Sequence, residues 1–294
     1  MQDLLPGGIS IGICTFRRNS LACTLGSMAR LRGHFTEILI VDNDKTDRAR
    51  TRIMMAAAQE GLAIRYIHAP SQNISVARNA VLDHCATRWA ALIDDDETAR
   101  PDWLVRLAEN ATDAHAVIGV SNAVYGENLP VWAQKCDFHS NRLGKNLANA
   151  YTSNALLNIE FVNDVGLRFD PALGKTGGED TIFFHQLSQR GGRIVSQPSA
   201  IVDEDVPANR ATMRWVLRRA YRSGQTHARL LELTDRNRFR RLTFVAAAKL
   251  VVCGVMTVLT LATPPTWRRW SSRGALHAGA MSYTLHPRIL EEYG

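Results

Sequence analysis

Three consecutive aspartates follow an apolar run of the sequence, Trp89–Ile93. In a strand, residues i and i+2 point to the same side, so Asp94 and Asp96 would present two carboxylates to one crevice while Asp95 faces elsewhere. A hard cation such as Mg2+ or Mn2+ is commonly bound by one or two carboxylates, with water and substrate phosphates at the remaining positions. The pattern predicts a divalent metal and a diphosphate substrate; the alternative is a solvated acidic turn.

Two further acidic groups stand at element boundaries. Glu179 and Asp180 follow two glycines at a predicted helix start, where acidic residues are common because they complement the helix dipole. The functional alternative is that the helix end and a nearby cation keep Asp180 ionised at neutral pH, ready to accept a proton from a hydroxyl as a general base. The cluster 203–205 supplies either a further metal ligand, Glu204 or Asp205, or a cap for the turn before Pro207.

Alternating strands and helices would position these groups. Short apolar strands are separated by helical segments, which predicts an α/β fold with a mostly parallel sheet and helices on both faces. Ligands of such sheets bind at the carboxyl ends of the strands. Polar residues lie at those ends, although Asp42 could also simply form a turn. The strands are expected at Ile9–Phe16, Glu37–Val41, Ala63–His68 and Trp89–Ile93.

The second half of the chain is less regular. Val124–Asn149 is a long polar stretch and is expected to form a loop or lid around a site. A helix is expected to run from the Gly177-Gly178 pair to about Arg190, and a second helix, with arginines at helical spacing, from Ala211 to Leu233. Short strands are expected at Val117–Val120, Tyr151–Leu157, Arg193–Ser196 and Ala200–Asp203.

The 294 residues are 46% apolar and 21% charged, which excludes a disordered or fibrous chain. The net charge of +7 arises entirely from residues 236–294, which hold nine Lys/Arg and two Asp/Glu. Charge concentrated beside an apolar run favours anionic lipid over nucleic acid as partner. Five cysteines without C-x-x-C spacing and an N-terminus without a cationic leader indicate a catalytic part in the reducing cytoplasm.

The apolar run Leu242–Thr263 is interrupted only by Lys249 among strongly polar residues. As a helix it would be about 33 Å long, close to the ~30 Å thickness of the hydrocarbon core. It could span a membrane, re-enter it or lie on its surface. The alternative is a helix buried in the core of the protein. Trp267 and Trp270 beside Arg268 and Arg269 are typical of a membrane interface. We therefore expect a catalytic domain over 1–234 and a basic, apolar helical membrane-associating segment over 235–294.

Six segments together resemble glycosyltransferase family 2, in particular its bacterial exopolysaccharide branch of the succinoglycan type. They are ISIGICTFRR (9–18), ILIVDND (38–44), NISVARNAV (73–81), ALIDDDE (91–97), GGED (177–180) and VDEDVPANRATMRWVLRRAYRSG (202–224). The resemblance implies a GT-A fold, an NDP-sugar donor such as a UDP-sugar, a Mn2+ or Mg2+ ion, and inverting transfer to a glycan acceptor carried on a polyprenyl diphosphate at the cytoplasmic face of the bacterial inner membrane.

The resemblance also assigns roles by position. Asp180 would be the base, with Glu179 beside it, and Asp96 would bind the metal with Asp94, which also approaches the ribose and donor sugar. Arg17 stands where many relatives have Asn, and the later His of the metal site is absent, which leaves Glu204 or Asp205 as the third ligand. The remaining candidates for the donor pocket are Thr15, Phe16, Arg17, Asp42, Arg78 and Asp95.

Two other classes of function fit parts of the sequence. The Asp94-x-Asp96-x-Thr98 spacing also occurs in phosphatases whose first Asp is the nucleophile. A protein tethered to the membrane that binds sugar nucleotides or glycans without turnover is the second alternative, which the intact Asp180 disfavours.

Overall fold

The computed structural model describes residues 4–141, 147 and 150–290. Four parallel strands alternate with three helices along the first third of the chain, as predicted, because short runs that are mostly apolar alternate with polar turns and helical segments. The elements are β1 Ile9–Thr15, α1 Leu21–Ala29, β2 Glu37–Asp42, α2 Arg50–Gln59, β3 Arg65–His68, α3 Ile74–His84 and β4 Trp89–Asp94.

The rest of residues 1–234 completes the sheet and covers it. Within the described residues the sheet has eight strands in the order β3-β2-β1-β4-β7-β6-β8-β5, and β5 and β7 are antiparallel to their neighbours. The elements are β5 Glu97–Ala99, α4 Trp103–Ala108, β6 Ala116–Val124, α5 Val131–Cys136, β7 Asn154–Asn158, α6 Ile159–Asp164, α7 Glu179–Gln189 and β8 Ile194–Asp205.

Both faces of this sheet carry a hydrophobic core. Ile38 and Ile40 of β2 pack on one face with helix residues such as Trp103, whereas Leu39 and Val41 pack on the other with residues such as Phe183. Successive strand residues point to opposite faces, so a strand buried on both sides is apolar throughout. The predicted α/β architecture with helices on both faces is confirmed.

Two expectations for the second half are corrected. The strands expected at Arg193–Ser196 and Ala200–Asp203 form one strand, β8, whose register against β6 shifts between Ile118 and Val120 and so absorbs the break at Pro198. The expected loop over 124–149 contains α5, which starts after Pro130. The part of this loop at 142–146 and 148–149 lies outside the described residues.

Three long helices end the chain: α8 Met213–Thr234, α9 Arg236–Leu259 and α10 Pro264–Leu285. Asp235 ends α8, and its side chain caps α9, so the predicted boundary at 234/235 coincides with a helix junction. Nevertheless α8 packs closely on α10. A Cβ on Gly224 would lie 1.9 Å from the Leu276 carbonyl oxygen, and one on Gly279 would lie 1.8 Å from that of Tyr221. Glycine at both positions lets the backbones of α8 and α10 touch.

Helix α9 is the one helix among the described residues that is long and apolar enough to cross a membrane. Its Leu242, Ala246 and Cys253 are buried, whereas a stripe of apolar side chains on the remaining surface is exposed. We call this stripe the apolar stripe of α9; it comprises Phe244, Val245, Val251, Val252, Val255, Val258 and Leu259.

Both ends of the α9–α10 hairpin are attached to the rest of the chain. Near the start of α9, the Thr243 hydroxyl donates to Thr284 of α10, and nearby the Tyr283 hydroxyl donates to Glu232 of α8. At the other end, Arg269 of α10 donates to the Lys135 carbonyl of α5 at 2.8 Å. The hairpin therefore lies along residues 1–234 instead of projecting from them.

Candidate active site

A cavity of about 530 Å³ opens where β4, α3, α7, β8 and α8 meet. The predicted acidic groups from separate stretches of chain converge on it. The parallel strands β1, β2 and β4 end at one edge of the sheet, and the N-terminus of α7 approaches the same edge. The predicted residues on its wall are Arg78, Asp94, Asp96, Glu179, Asp180 and Glu204.

The turn at 94–96 presents its carboxylates in the predicted directions. Asp94 and Asp96 line the cavity, while Asp95 is buried behind it and accepts a hydrogen bond of 2.6 Å from the Thr15 hydroxyl. Burial, followed by repulsion from Asp96, raises the pKa of Asp95 to about 7, although the Thr15 bond opposes this. The Asp96 carboxylate accepts from Arg18 at 2.7 Å.

Glu97 supports this turn from below and was not predicted. It is buried, accepts a hydrogen bond of 3.0 Å from the Asp94 backbone N–H and another of 2.6 Å from the Ser121 hydroxyl. Burial and the nearby Asp94 hold the pKa of Glu97 well above its ordinary value. In the sequence, the only sign of this role is that Glu97 directly follows the three aspartates.

Arg78 and Glu179 form a buried ion pair between α3 and α7. Burial opposes the charge of Arg78, but the carboxylates of Glu179, Asp94 and Asp180 outweigh it and raise its pKa further. Gly178 precedes this pair with φ +91°, and a Cβ there would lie 2.3 Å from the Thr226 methyl carbon. Glycine at 178 therefore places the start of α7 against the cavity.

Asp180 lies on the cavity wall, one residue into α7. Burial and then repulsion from Glu179 raise its pKa to about 7, while Arg78 and the Thr181 N–H oppose the shift. Arg78 and the helix end favour the ionised carboxylate, as expected, but burial outweighs them, so the pKa of Asp180 lies close to neutral pH. A carboxylate that titrates near neutrality is well matched to general-base chemistry.

In the third acidic cluster, 203–205, successive residues of β8 point to opposite sides of the strand, so Glu204 and Asp205 face different ways. Glu204 lines the cavity and accepts from Arg210 at 2.9 Å, and the same Arg210 nitrogen lies 3.8 Å from Asp96. Burial and repulsion from Asp96 raise the pKa of Glu204 to about 7. Asp205, the next residue of β8, is exposed and does not line the cavity, so the expectation that it could be a metal ligand is wrong.

The expected donor-pocket residues of β1 and β2 lie at the same sheet edge, beside the cavity and not on its wall. Arg17 is exposed in a left-handed conformation with φ 56°, contacts the Phe16 ring and donates twice to Asp44 at 2.8 Å. Asp42 is fully buried and accepts from the Tyr66 hydroxyl at 2.8 Å. Asp42 therefore holds the end of β2 and does not reach the cavity.

Sequence reasoning missed the aromatic and basic wall opposite these carboxylates. Trp215 of α8 lines the cavity, stacks on His139 at 4.8 Å between ring centroids and lies under the Arg219 guanidinium. Tyr151 also lines the cavity. The only available signal was the run of arginines at helical spacing over 214–229, and that spacing alone does not separate arginines facing the cavity from those facing solvent.

The oxygen ligands around the cavity fit a hard divalent cation. Within the described part of the chain, no cluster of three or more His, Cys, Asp or Glu is arranged to hold an ion by itself. Asp94, Asp96 and Glu204 supply carboxylates only, and burial raises the pKa values of Asp94 and Glu204, which a nearby cation would reverse. Such an ion would take one or two of these carboxylates and complete its shell with phosphate and water.

A family model described as Glycosyl transferase family 2 matches residues 10–166, which include β4, the turn at 94–96 and all of β1 except Ile9. A succinoglycan biosynthesis protein of Rhizobium meliloti, ExoM, is 40% identical over 97% of this chain and 96% of its own length. The chain belongs to glycosyltransferase family 2. This membership excludes the Asp-nucleophile phosphatase alternative, and the protein is a family 2 glycosyltransferase.

Solved structures agree on the fold. A mannosyltransferase of Pyrobaculum calidifontis in complex with GDP-Man and Mn2+ superposes with a TM-score of 0.64 at 18% identity, covering 95% of this chain and 87% of its own. TarS 1–349 of S. aureus in complex with UDP-GlcNAc superposes with a TM-score of 0.51 at 14% identity, covering 96% and 92%. Together, membership of glycosyltransferase family 2 and these structural neighbours show that the chain has the GT-A fold.

Proposed function

We propose that this glycosyltransferase moves a sugar from a nucleoside-diphosphate donor to a hydroxyl of a lipid-linked glycan, with inversion at the anomeric carbon. The single observation that carries the proposal is one cavity in which Asp94 and Asp96 face Asp180. Asp94 and Asp96 are suited to hold a cation that binds a diphosphate, and Asp180 is suited to accept the proton of a hydroxyl group. The two neighbouring structures hold GDP-Man and UDP-GlcNAc, which supports a donor of this class.

The reaction divides between the two acidic sites. The acceptor oxygen attacks the anomeric carbon, Asp180 takes its proton, and the nucleoside diphosphate departs with the electron pair of the broken carbon–oxygen bond. A divalent cation held by Asp96 with Asp94 or Glu204 would supply charge stabilisation for the departing diphosphate. Arg78, locked by Glu179, keeps a positive charge between Asp94 and Asp180 and so limits repulsion between the two sites.

The donor base would lie beside the ends of β1 and β2, against Thr15, Phe16 and Arg17. Arg17 is the exposed cation of this group, and the Phe16 ring offers a stacking surface. The bidentate bond of Arg17 to Asp44 fixes the guanidinium plane at this edge.

We further propose that the enzyme works on the cytoplasmic face of the bacterial inner membrane, with the apolar stripe of α9 in the bilayer interface. A membrane-crossing α9 is disfavoured because both ends of the α9–α10 hairpin contact the catalytic part. A helix with one packed face and one exposed apolar face is suited to lie in the interface plane. The basic residues of 236–294 would favour anionic lipid.

A donor screen tests the proposal. The full chain in detergent is incubated with UDP-, GDP- and dTDP-sugars, with and without Mn2+, and nucleotide release is measured. We expect release from one donor class, dependent on Mn2+ and lost in the Asp96→Asn variant. Release from no donor, or equal release by that variant, contradicts the proposal. With a lipid-linked acceptor added, inversion is read by NMR from the anomeric configuration of the transferred sugar.

A further inference from the structure

A second concavity lies between α9 and α10, about 520 Å³ in volume and lined mainly by hydrocarbon. Val252 and Cys253 of α9 face Trp270 and Leu276 of α10 across it. We call it the α9–α10 groove. Its volume is that of a pocket for a small molecule.

The groove is not purely apolar. Lys249 and Arg273 line it, and the Arg273 guanidinium lies 5.1 Å from the centre of the Trp270 ring. Among the described residues no carboxylate pairs with either side chain. Two uncompensated cations at an apolar surface complement an anionic group attached to a hydrocarbon chain.

The groove also adjoins the catalytic cavity. Leu276 lines both, and His227 of α8 lines the cavity close enough to Lys249 to be affected by its charge. On the opposite side, Val252 belongs both to the groove and to the exposed apolar stripe of α9. The groove thus connects the cavity with the surface that would contact lipid.

We propose that the α9–α10 groove binds the polyprenyl diphosphate of the acceptor. The first isoprene units lie between Val252 and Trp270, the diphosphate lies against Lys249 and Arg273, and the glycan passes Leu276 toward Asp180. The rest of the chain follows the apolar stripe of α9 into the bilayer. This inference rests on the proposed function in one respect, namely that the acceptor is lipid-linked.

A binding experiment tests the site without requiring turnover. Radiolabelled farnesyl diphosphate is titrated against the detergent-solubilised full chain by equilibrium dialysis, with farnesol and isopentenyl diphosphate as competitors. We expect farnesyl diphosphate to bind and both competitors to be much weaker, because each lacks one half of the recognised chemistry. Excess phosphatidylglycerol should not displace the probe; displacement would assign the groove to a bilayer phospholipid and overturn the proposal.

Two neighbouring valines of α9 supply a matched pair of variants. Val252→Trp fills the groove, whereas Val251→Trp places the same side chain on the exposed stripe outside it. We expect the Kd for farnesyl diphosphate to rise about tenfold, which is about 1.4 kcal/mol, in Val252→Trp and less than twofold in Val251→Trp. Equal affinities in both variants and the parent refute the groove, as does equal weakening in both.

Failure of this inference is distinguishable from failure of the proposed function. Neither valine lines the catalytic cavity, so both variants should release nucleotide from the donor at the parent rate. Donor hydrolysis without farnesyl diphosphate binding refutes only the groove. Farnesyl diphosphate binding at Val252 without any donor hydrolysis refutes the glycosyltransferase mechanism and leaves the lipid site standing.

Discussion

The pH dependence of transfer follows from the position of Asp180. Burial and the neighbouring Glu179 raise its pKa to about 7, so the carboxylate that accepts a proton is about one-tenth ionised at pH 6, half at pH 7 and nine-tenths at pH 8. Because the reaction requires the ionised form, kcat/KM should rise about fivefold from pH 6 to pH 7 and less than twofold from pH 7 to pH 8.

The assay is nucleotide release at donor concentrations below KM, which reports the free enzyme. Asp180→Asn should lower kcat by about 10²–10⁴-fold and abolish this pH limb, while the Kd for the donor changes little. Asp83→Asn, on the exposed ion pair with Arg168, is the matched control and should keep the parent profile. Glu179→Gln removes the carboxylate that raises the pKa of Asp180, so the limb should move to lower pH. A limb that persists in Asp180→Asn refutes the assignment of the base.

Three further changes test other parts of the structure. Glu179→Ala leaves the Arg78 guanidinium buried without its main partner. We expect the free energy of unfolding, measured by urea denaturation, to fall by about 3–5 kcal/mol. An unchanged denaturation midpoint would contradict the buried pair. Gly279→Ala forces a Cβ against the Tyr221 carbonyl and should lower the melting temperature. Gly254 has open space around it, so Gly254→Ala should leave the melting temperature unchanged or raise it. Equal shifts in the two variants would count against close α8–α10 packing. Val251→Glu places a charge in the apolar stripe of α9 and should release the protein from vesicles containing phosphatidylglycerol in a sedimentation assay, while retained binding would argue against the stripe as the membrane surface.

The strands and the acidic turns were predictable because each depends on local sequence. A short apolar run such as Trp89–Ile93, bounded by polar residues, is consistent with a buried strand, and in an α/β sheet the polar residue after it lies at the sheet edge. The convergence of Asp94, Asp96 and Asp180 then follows from topology. The apolar segment of α9 was equally visible, since its composition alone indicates a long helix.

The remaining features depend on tertiary contacts. The choice of Glu204 over Asp205 rests on the alternation of one strand, whose start cannot be located to a single residue from sequence. The pKa of Asp180 depends on how deeply α7 is buried, which no local pattern records. Helix α10 is rich in Gly, Ser and Arg, and its packing against α8 depends on the close contact at Gly279.

The close packing of α8 on α10 at Gly224 and Gly279 has a consequence for the proposed acceptor. Helix α8 contributes Trp215 and Arg219 to the catalytic cavity, and α10 carries α9 on its other side. With no side chain between the two backbones, the hairpin has little freedom to tilt against the catalytic centre. An enzyme resting on α9 would therefore hold Asp180 at a constant height above the bilayer. A fixed distance between Asp180 and the bilayer would select glycans by the number of sugars that separate their reactive end from the lipid.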